Sequence, residues 1–373
     1  MHDFSGIYLH IPFCPKKCLY CDFFSVAKFS KTALSEYSDA LLKELESRSG
    51  ELSGTKVVSV YCGGGSPSVM NEEFFLKFAE RAEKLGISLA ETEFTVEVNP
   101  ADIDESWIKN LKDCGINRVS IGAQAFDDQV LAEMGRRTTV ADMRKNIPVF
   151  AKYFDNISCD IIYGLGKNRK INQELNKIFE LAPFRHVSAY RYSRPERVNA
   201  PKLLDEDETL RQEAEIRDFL QKRGFSRYEI SNYSLPGFES RHNMLYWTYG
   251  SWLGIGAGAA SFIRKTGVSS RYADDIEAFV SGEGLSSVKL TLKEKIEEFL
   301  LMGLRVKIGI NLNNFKELFG KDFFELISEK AVSELVSEGF LEINEKSGVL
   351  KCTEKGFDFL NPVLLKLFDA VTC

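Results

Sequence analysis

Along the first half of the chain, short runs in which apolar and polar side chains alternate are each followed by a stretch with helical spacing. Residues 6–11 read as a strand that runs into a cysteine-bearing loop, and residues 56–61 (KVVSVY) as a second strand. Residues 93–98 alternate cleanly, with Phe94, Val96 and Val98 on one side and Thr95 and Glu97 on the other. Residues 118–121, 157–162 and 186–192 read as further strands. Between them, residues 30–47 have a helical pattern that ends near Gly50. Asn71 caps a helix with Phe74, Phe75, Phe78, Ala82 and Leu85 on one face and Gly86 at its end, and Asp104 caps another that runs to Cys114 and Gly115. Repeating βα units predict a parallel sheet, open or closed into a barrel. Chemistry in such folds sits at the carboxyl ends of the strands. The unusual segments fall there: the cysteine loop, CGGGSPS (62–68), EVNP (97–100), GAQAF (122–126) and DIIYG (160–164).

Residues 194–207 (RPERVNAPKLLDED) are polar and turn-rich and predict a loop, and residues 281–287 (SGEGLSS) read as a linker. Beyond it, residues 292–306, 315–319 and 330–338 are helical in pattern. After Gly339 come two strand-like runs, 340–343 and 349–352. Helices followed by a hairpin predict a small, helical, winged-helix-like domain. The expected division is a core over 1–280, with an extension at about 225–265, and a C-terminal helical domain over 288–373. Mixed charge in that domain favours a packing or partner role over DNA binding.

Composition narrows the class. A chain of 373 residues, 44% hydrophobic, can bury a large core. A net charge of −6 offers no field for nucleic acid or anionic lipid. No apolar run reaches the length of a membrane span, and the N-terminus has no secretory pattern. A cytoplasmic protein without a nucleic-acid partner is therefore expected, with peripheral membrane contact left open.

Of eight cysteines, Cys62, Cys114, Cys159, Cys352 and Cys373 are scattered and read as buried, inert thiols. Cys14, Cys18 and Cys21 crowd into CPKKCLYC. C-x3-C-x2-C on one loop lets three thiolates face one iron–sulfur cubane and leaves one iron open. The alternatives are zinc, which wants a closed set of four ligands, and a redox dithiol, which needs only two cysteines. Gly63, Gly64 and Gly65 allow backbone to approach a ligand closely. Glu97 and Asp160 sit on the polar sides of apolar strands. A buried carboxylate costs several kcal/mol unless paired, so each serves either a neighbouring strand or a ligand.

Taken together, YLHIPFCPKKCLYCDF, YCGGGSPS, EVNP and IGAQAF resemble the radical S-adenosylmethionine (SAM) proteins related to oxygen-independent coproporphyrinogen III oxidase. The resemblance implies a partial (β/α) barrel and a [4Fe–4S] cluster on Cys14, Cys18 and Cys21. The open iron of that cluster chelates the methionine end of SAM. Reduced by a donor partner, the cluster cleaves SAM to methionine and a 5′-deoxyadenosyl radical. The resemblance also implies SAM contacts at Tyr8, Gly64 and Glu97. A second pocket, able to hold another SAM, would be lined by Tyr20, Gly65, Ser66, Gln124, Arg136 and Asp160. Without the resemblance, Arg136 reads as a surface arginine beside Arg137.

Three features separate two groups within the family. Only thirteen residues precede Cys14, where the oxidase has a long extension. Phe23 stands where the oxidase motif has a fourth cysteine, and RHNMLYW (241–247) matches the HNxxYW motif of the HemW group of haem chaperones. By that likeness His242 is the leading axial ligand for haem, with Tyr246 and Trp247 as flat apolar surface, although a lone histidine is more often structural. YEISNYSLPGFES and WLGIGAGAASF extend the likeness around it, and LMGLRVKIGI and TEKGFDFL carry it into the C-terminal domain. RRTT after Gly135 and YRYSRPERVNA (190–200) depart from the group's pattern near the second pocket. The expected function is a HemW-like haem chaperone that binds a cluster, SAM and haem and delivers haem to acceptor proteins. The enzymatic alternatives are coproporphyrinogen III oxidation and radical chemistry on another tetrapyrrole, and no residue is assigned as catalytic.

Overall fold

The computed structural model describes residues 4–196 and 199–372; Cys373, and Arg197 and Val198 of the divergent stretch, lie outside them. Strands β1 (Gly6–Ile11), β2 (Ser59–Gly64), β3 (Glu93–Val98), β4 (Arg118–Gln124), β5 (Asn156–Tyr163) and β6 (His186–Arg191) pair in parallel in chain order. Helices Lys31–Ser47, Glu72–Lys84, Glu105–Asp113, Val140–Phe150 and Ile171–Phe179 make the crossovers. β7 (Ser226–Arg227) and β8 (Asn232–Ser234) extend one edge in antiparallel fashion. At the other edge β9 (Trp252–Ile255) runs parallel to β1, followed by antiparallel β10 (Ala260–Ile263), β11 (Val268–Tyr272) and β12 (Leu285–Lys289). The result is an open, mixed, twelve-stranded sheet. It is curved, because residues that follow β1 and residues that follow β6 line one cavity.

The two faces of this sheet are chemically opposite. Ile7, Leu9, Val60, Phe94, Val96, Val119, Ile121, Ile157 and Val187 lie on the convex side, fully buried against the helices. The concave side carries Tyr8 and His10, Ser59 and Tyr61, Thr95 and Glu97, Arg118 and Ser120, Ser158 and Asp160, and His186 and Ser188. Parallel register aligns these into polar rows: Tyr8, Tyr61, Thr95 and Arg118 in one, and Glu97, Ser120, Ser158 and His186 in the next. Parallel sheets covered on both sides are usually apolar throughout. Here the period of two hands one face to packing and the other to chemistry.

The C-terminal region has its own apolar cluster, built by helices Leu292–Gly303, Leu312–Phe319, Glu329–Ser337 and Leu360–Asp369 on a small sheet of β13 (Ile310–Asn311), β14 (Leu341–Asn344) and β15 (Val349–Cys352). Tyr249 and Phe262 from the extension pack into the same cluster, Tyr249 edge-on to Phe299.

Besides the edge strands β7 to β11, which the sequence pattern did not predict, and β4, which runs on to Gln124, three segments differ from expectation. The second strand begins at Ser59 rather than residue 56 and continues through Gly63 and Gly64, because β1 supplies a partner as far as Gly64. Within the expected loop 194–207, Asp205 accepts from the Glu208 amide and starts the helix Glu206–Gln221. The expected linker holds the start of β12, whose five residues are all exposed; with neither face buried, the strand has no apolar periodicity to read. Cys62, Cys114, Cys159 and Cys352 are buried and unpaired, and burial pushes the Cys352 thiol up to about 12. Among the described residues no helix is long and apolar enough to cross a membrane.

Candidate functional site

A cavity of about 480 Å³ opens at the carboxyl ends of β1 to β6. β1 delivers the cysteine loop to its wall. Val26 N donates to Pro12 O at 2.7 Å and Cys14 N to Val26 O at 3.0 Å, which closes the loop on itself. Leu19 N donates to Met134 O at 2.9 Å and ties it to the segment after β4. Cys14, Cys18 and Cys21 all line the cavity, and Cys14 Sγ lies 3.3 Å from Ser66 Oγ. Burial pushes the Cys21 thiol up from its ordinary value. The Tyr20 hydroxyl and the Arg136 guanidinium both neighbour the Cys18 sulfur. Phe23 stands at the rim, 60% exposed.

The three glycines at the end of β2, Gly63 and Gly64 within it and Gly65 just after, make room chiefly for the protein itself. A Cβ at Gly63 would lie 2.8 Å from the Glu97 carboxyl carbon, one at Gly64 2.5 Å from the His10 ring, and one at Gly65 2.6 Å from Phe13 O. Gly64 also has φ +108°, a conformation that side chains rarely adopt. Gly64→Ala should therefore destabilise the fold by about 2–4 kcal/mol. Denaturant unfolding of the apo-protein checks this, and a loss under about 0.5 kcal/mol would refute it.

Glu97 lies on the cavity wall. Its Oε1 accepts from the Tyr61 hydroxyl at 2.9 Å and its Oε2 from the Gly64 amide at 3.2 Å. Burial, and then the nearby Asp160 carboxylate, raise its pKa to about 7; the two hydrogen bonds and the Arg118 guanidinium pull the other way. Asp160 accepts from Ser120 Oγ at 3.0 Å through both oxygens, and burial raises its pKa too. Arg118, only 2% exposed, reaches Thr95 Oγ1 at 3.4 Å and is the buried cation under both acids.

Gln124 sits where β4 breaks register with β5, at φ +69°, with its Oε1 buried and unpaired. Arg136 donates to Tyr20 OH at 3.2 Å and to Gly122 O, while its Nε is buried without a partner. It is no surface arginine; Arg137 is the exposed one and pairs with Asp102. Both side chains line the cavity, where a few convergent polar groups serve to orient a ligand.

Tyr20, Gly64, Gly65, Ser66, Glu97, Gln124, Arg136 and Asp160 thus meet with the three cysteines around one space. Tyr8 and His242 do not line it. The Tyr8 hydroxyl is bonded to His10 Nδ1 at 2.9 Å, below the cavity. His242 lies deeper still, 1% exposed, on a helix (Arg241–Trp247) at the amino-terminal ends of the strands. Tyr246 packs edge-on against Trp252, and the Arg305 guanidinium lies 5.0 Å over the Trp247 ring. Tyr61, Arg118 and Ser120 were not singled out from the sequence, although they sit at inward positions of β2 and β4; Ser120 lines the cavity, and so do Tyr190–Ser193 of the stretch that departs from the group's pattern.

The donor set fits an iron–sulfur cluster: three soft thiols on one cavity wall, with hydroxyl and guanidinium donors beside them. Among the described residues no group of three or more His, Cys, Asp or Glu is arranged to hold a single metal ion.

The pattern of the Radical SAM superfamily matches residues 8–178, and that of the HemN C-terminal domain residues 290–359. The chain belongs to the radical SAM superfamily, in the branch that carries a HemN C-terminal domain. Over nearly its whole length it is similar to proteins named heme chaperone HemW. The one from Lactococcus lactis is 33% identical over 97% of both chains, and the one from Bacillus subtilis 30% identical over 92% of this chain and 94% of the relative. Its fold is that of coproporphyrinogen III oxidase (HemN) from Escherichia coli, with a TM-score of 0.84 at 21% identity over 99% of this chain and 90% of the other.

Proposed function

We propose that this chain is a cytoplasmic haem chaperone of the HemW kind. In this reading it carries a [4Fe–4S] cluster on Cys14, Cys18 and Cys21, binds SAM beside it and passes haem to acceptor proteins. The observation that carries the reading is convergence: residues in or just after the carboxyl ends of β1 to β6 meet at one cavity, among them the three cysteines, Glu97, Gln124, Arg136 and Asp160. The bound cluster would supply an electron, taken from a donor protein, to SAM. The chain's own residues bind and orient. Glu97 offers a carboxylate held in place by Tyr61 and Gly64, and Gln124, Arg136 and Asp160 offer further polar contacts in the same cavity. Full-length likeness to heme chaperones supports haem as the cargo.

The haem ligand is a separate matter. Each described histidine spends both ring nitrogens on the protein: His10 on Tyr8 and Phe24 O, His186 on Ser158 and Tyr228, His242 on Ser59 and Tyr246. Axial ligation by His242, the role that its motif suggests, requires at least one of these bonds to break. The test of the function is direct. Anaerobically reconstituted protein is expected to be brown, to bind SAM and haem, and to transfer haem to an apo-acceptor. With SAM, a reductant and coproporphyrinogen III it should form no vinyl product; catalytic turnover there would overturn the chaperone reading.

A further inference from the structure

The helix Arg241–Trp247 closes the end of the curved sheet opposite the cavity, and it is fitted there closely. A Cβ at Gly6 of β1 would lie 2.4 Å from Leu245 and 3.0 Å from Ser59 Oγ, so only glycine lets the helix come this near. The His242 backbone amide donates to Glu93 Oε1 at 3.3 Å. Its ring is bonded through Nδ1 to Ser59 Oγ at 2.9 Å and through Nε2 to Tyr246 OH at 2.7 Å. Burial holds the ring neutral, so one nitrogen donates and the other accepts.

Directly above this ring lies Tyr61. The two rings stack with centroids 5.1 Å apart and planes 25° apart. Tyr8 flanks both, 6.3 Å from each. From the top of this stack the Tyr61 hydroxyl donates to Glu97 Oε1. A continuous column therefore runs from the floor helix to the cavity wall: Ser59 and Tyr246 fix His242, His242 supports Tyr61, and Tyr61 fixes Glu97.

We infer that His242 is a positioning residue for the ligand-binding carboxylate of Glu97, acting through the Tyr61 ring. The HNxxYW helix thus serves the SAM pocket from beneath. This rests on the proposed binding of SAM at Glu97. Without the imidazole, Ser59 and Tyr246 lose their partner and the Tyr61 ring loses its support. Its hydroxyl then no longer stands at hydrogen-bond distance from one fixed carboxylate oxygen.

The experiment is a double-mutant cycle on SAM affinity in the reconstituted full chain, read by equilibrium dialysis with labelled SAM. Tyr61→Phe removes the hydroxyl and His242→Ala the support; each should weaken SAM binding about 10-fold, the loss of a hydrogen bond to a charged group. If His242 acts through Tyr61, the double variant is also about 10-fold weaker. Independent effects would give about 100-fold and would overturn the inference, as would wild-type affinity in His242→Ala. His242→Gln, which can bond Ser59 and Tyr246 in part, should lie between wild type and His242→Ala. It carries the cycle should the alanine variant fail to fold. Haem titration of the same variants should leave the Soret band unchanged; a lost Soret band with SAM affinity intact would return His242 to the haem. Glu97→Ala separates the two levels. If it binds SAM as the wild type does, the SAM-site reading has failed, and the inference with it. If it does not bind while the cycle is additive, only the inference has failed.

Discussion

Changing any one of Cys14, Cys18 and Cys21 to alanine is expected to abolish assembly of a four-iron cluster, the largest effect of any substitution in this chain. The three thiols sit on a loop closed by its own backbone bonds and tethered through Leu19 to the segment that carries Arg136. Among the described residues no further cysteine lines the cavity. Cys62 and Cys159 are fully buried within the sheet, and Phe23 occupies the fourth position of the loop motif. A cubane with two protein thiolates in place of three loses a strong bond that water replaces poorly. Iron and sulfide analysis after anaerobic reconstitution checks this. About four irons per chain retained in all three variants would dismiss the cluster site.

Glu97→Gln should move stability and binding in opposite directions. In the folded protein Glu97 has a pKa of about 7 against an ordinary 4.5, so the folded state holds the proton more tightly than the unfolded. Its contribution to stability is full below about pH 4.5 and is lost as the pH rises through 7; at 1.36 kcal/mol per pH unit that amounts to about 3 kcal/mol. Glutamine has no charge to bury, but it gives up one acceptor toward the Tyr61 hydroxyl or the Gly64 amide, which offsets part of the gain. The apo-variant should therefore be about 1–2 kcal/mol more stable than wild type at pH 8, with the advantage gone by about pH 5. SAM affinity should fall about 10- to 100-fold, the loss of a charge-assisted contact. Unfolding of both apo-proteins across this pH range decides the first part. A variant less stable than wild type at pH 8 would show that Arg118 already compensates the charge.

Much of this was legible from sequence where a side chain's partner lies close along the chain. β1 and β3 fall where alternation put them, and the Asn71 and Asp104 caps accept from Phe74 and Trp107 as their spacing required. The cysteine loop and the wall residues sit at strand ends, where topology alone brings them together. The fate of His242 was not legible, because its partner Ser59 is 183 residues away and the burial that engages both nitrogens is a property of the floor helix. Arg118 was hidden for a related reason: in RVSIGAQ it resembles a strand-edge charge until the curvature of the sheet turns it inward.

The inside-out sheet has a consequence for how the protein gains stability. Along β1 to β6 the apolar burial lies chiefly on the convex side, while the concave side is a set of polar rows, with Arg118 Nε and Gln124 Oε1 lacking partners. Under the proposed function, bound ligands would complete this polar interior as a hydrophobic filling does in other curved sheets. Each one that binds the folded state alone adds RT ln(1 + [L]/Kd) to its stability. Resistance to heat and proteolysis should then rise stepwise as cluster and SAM are loaded.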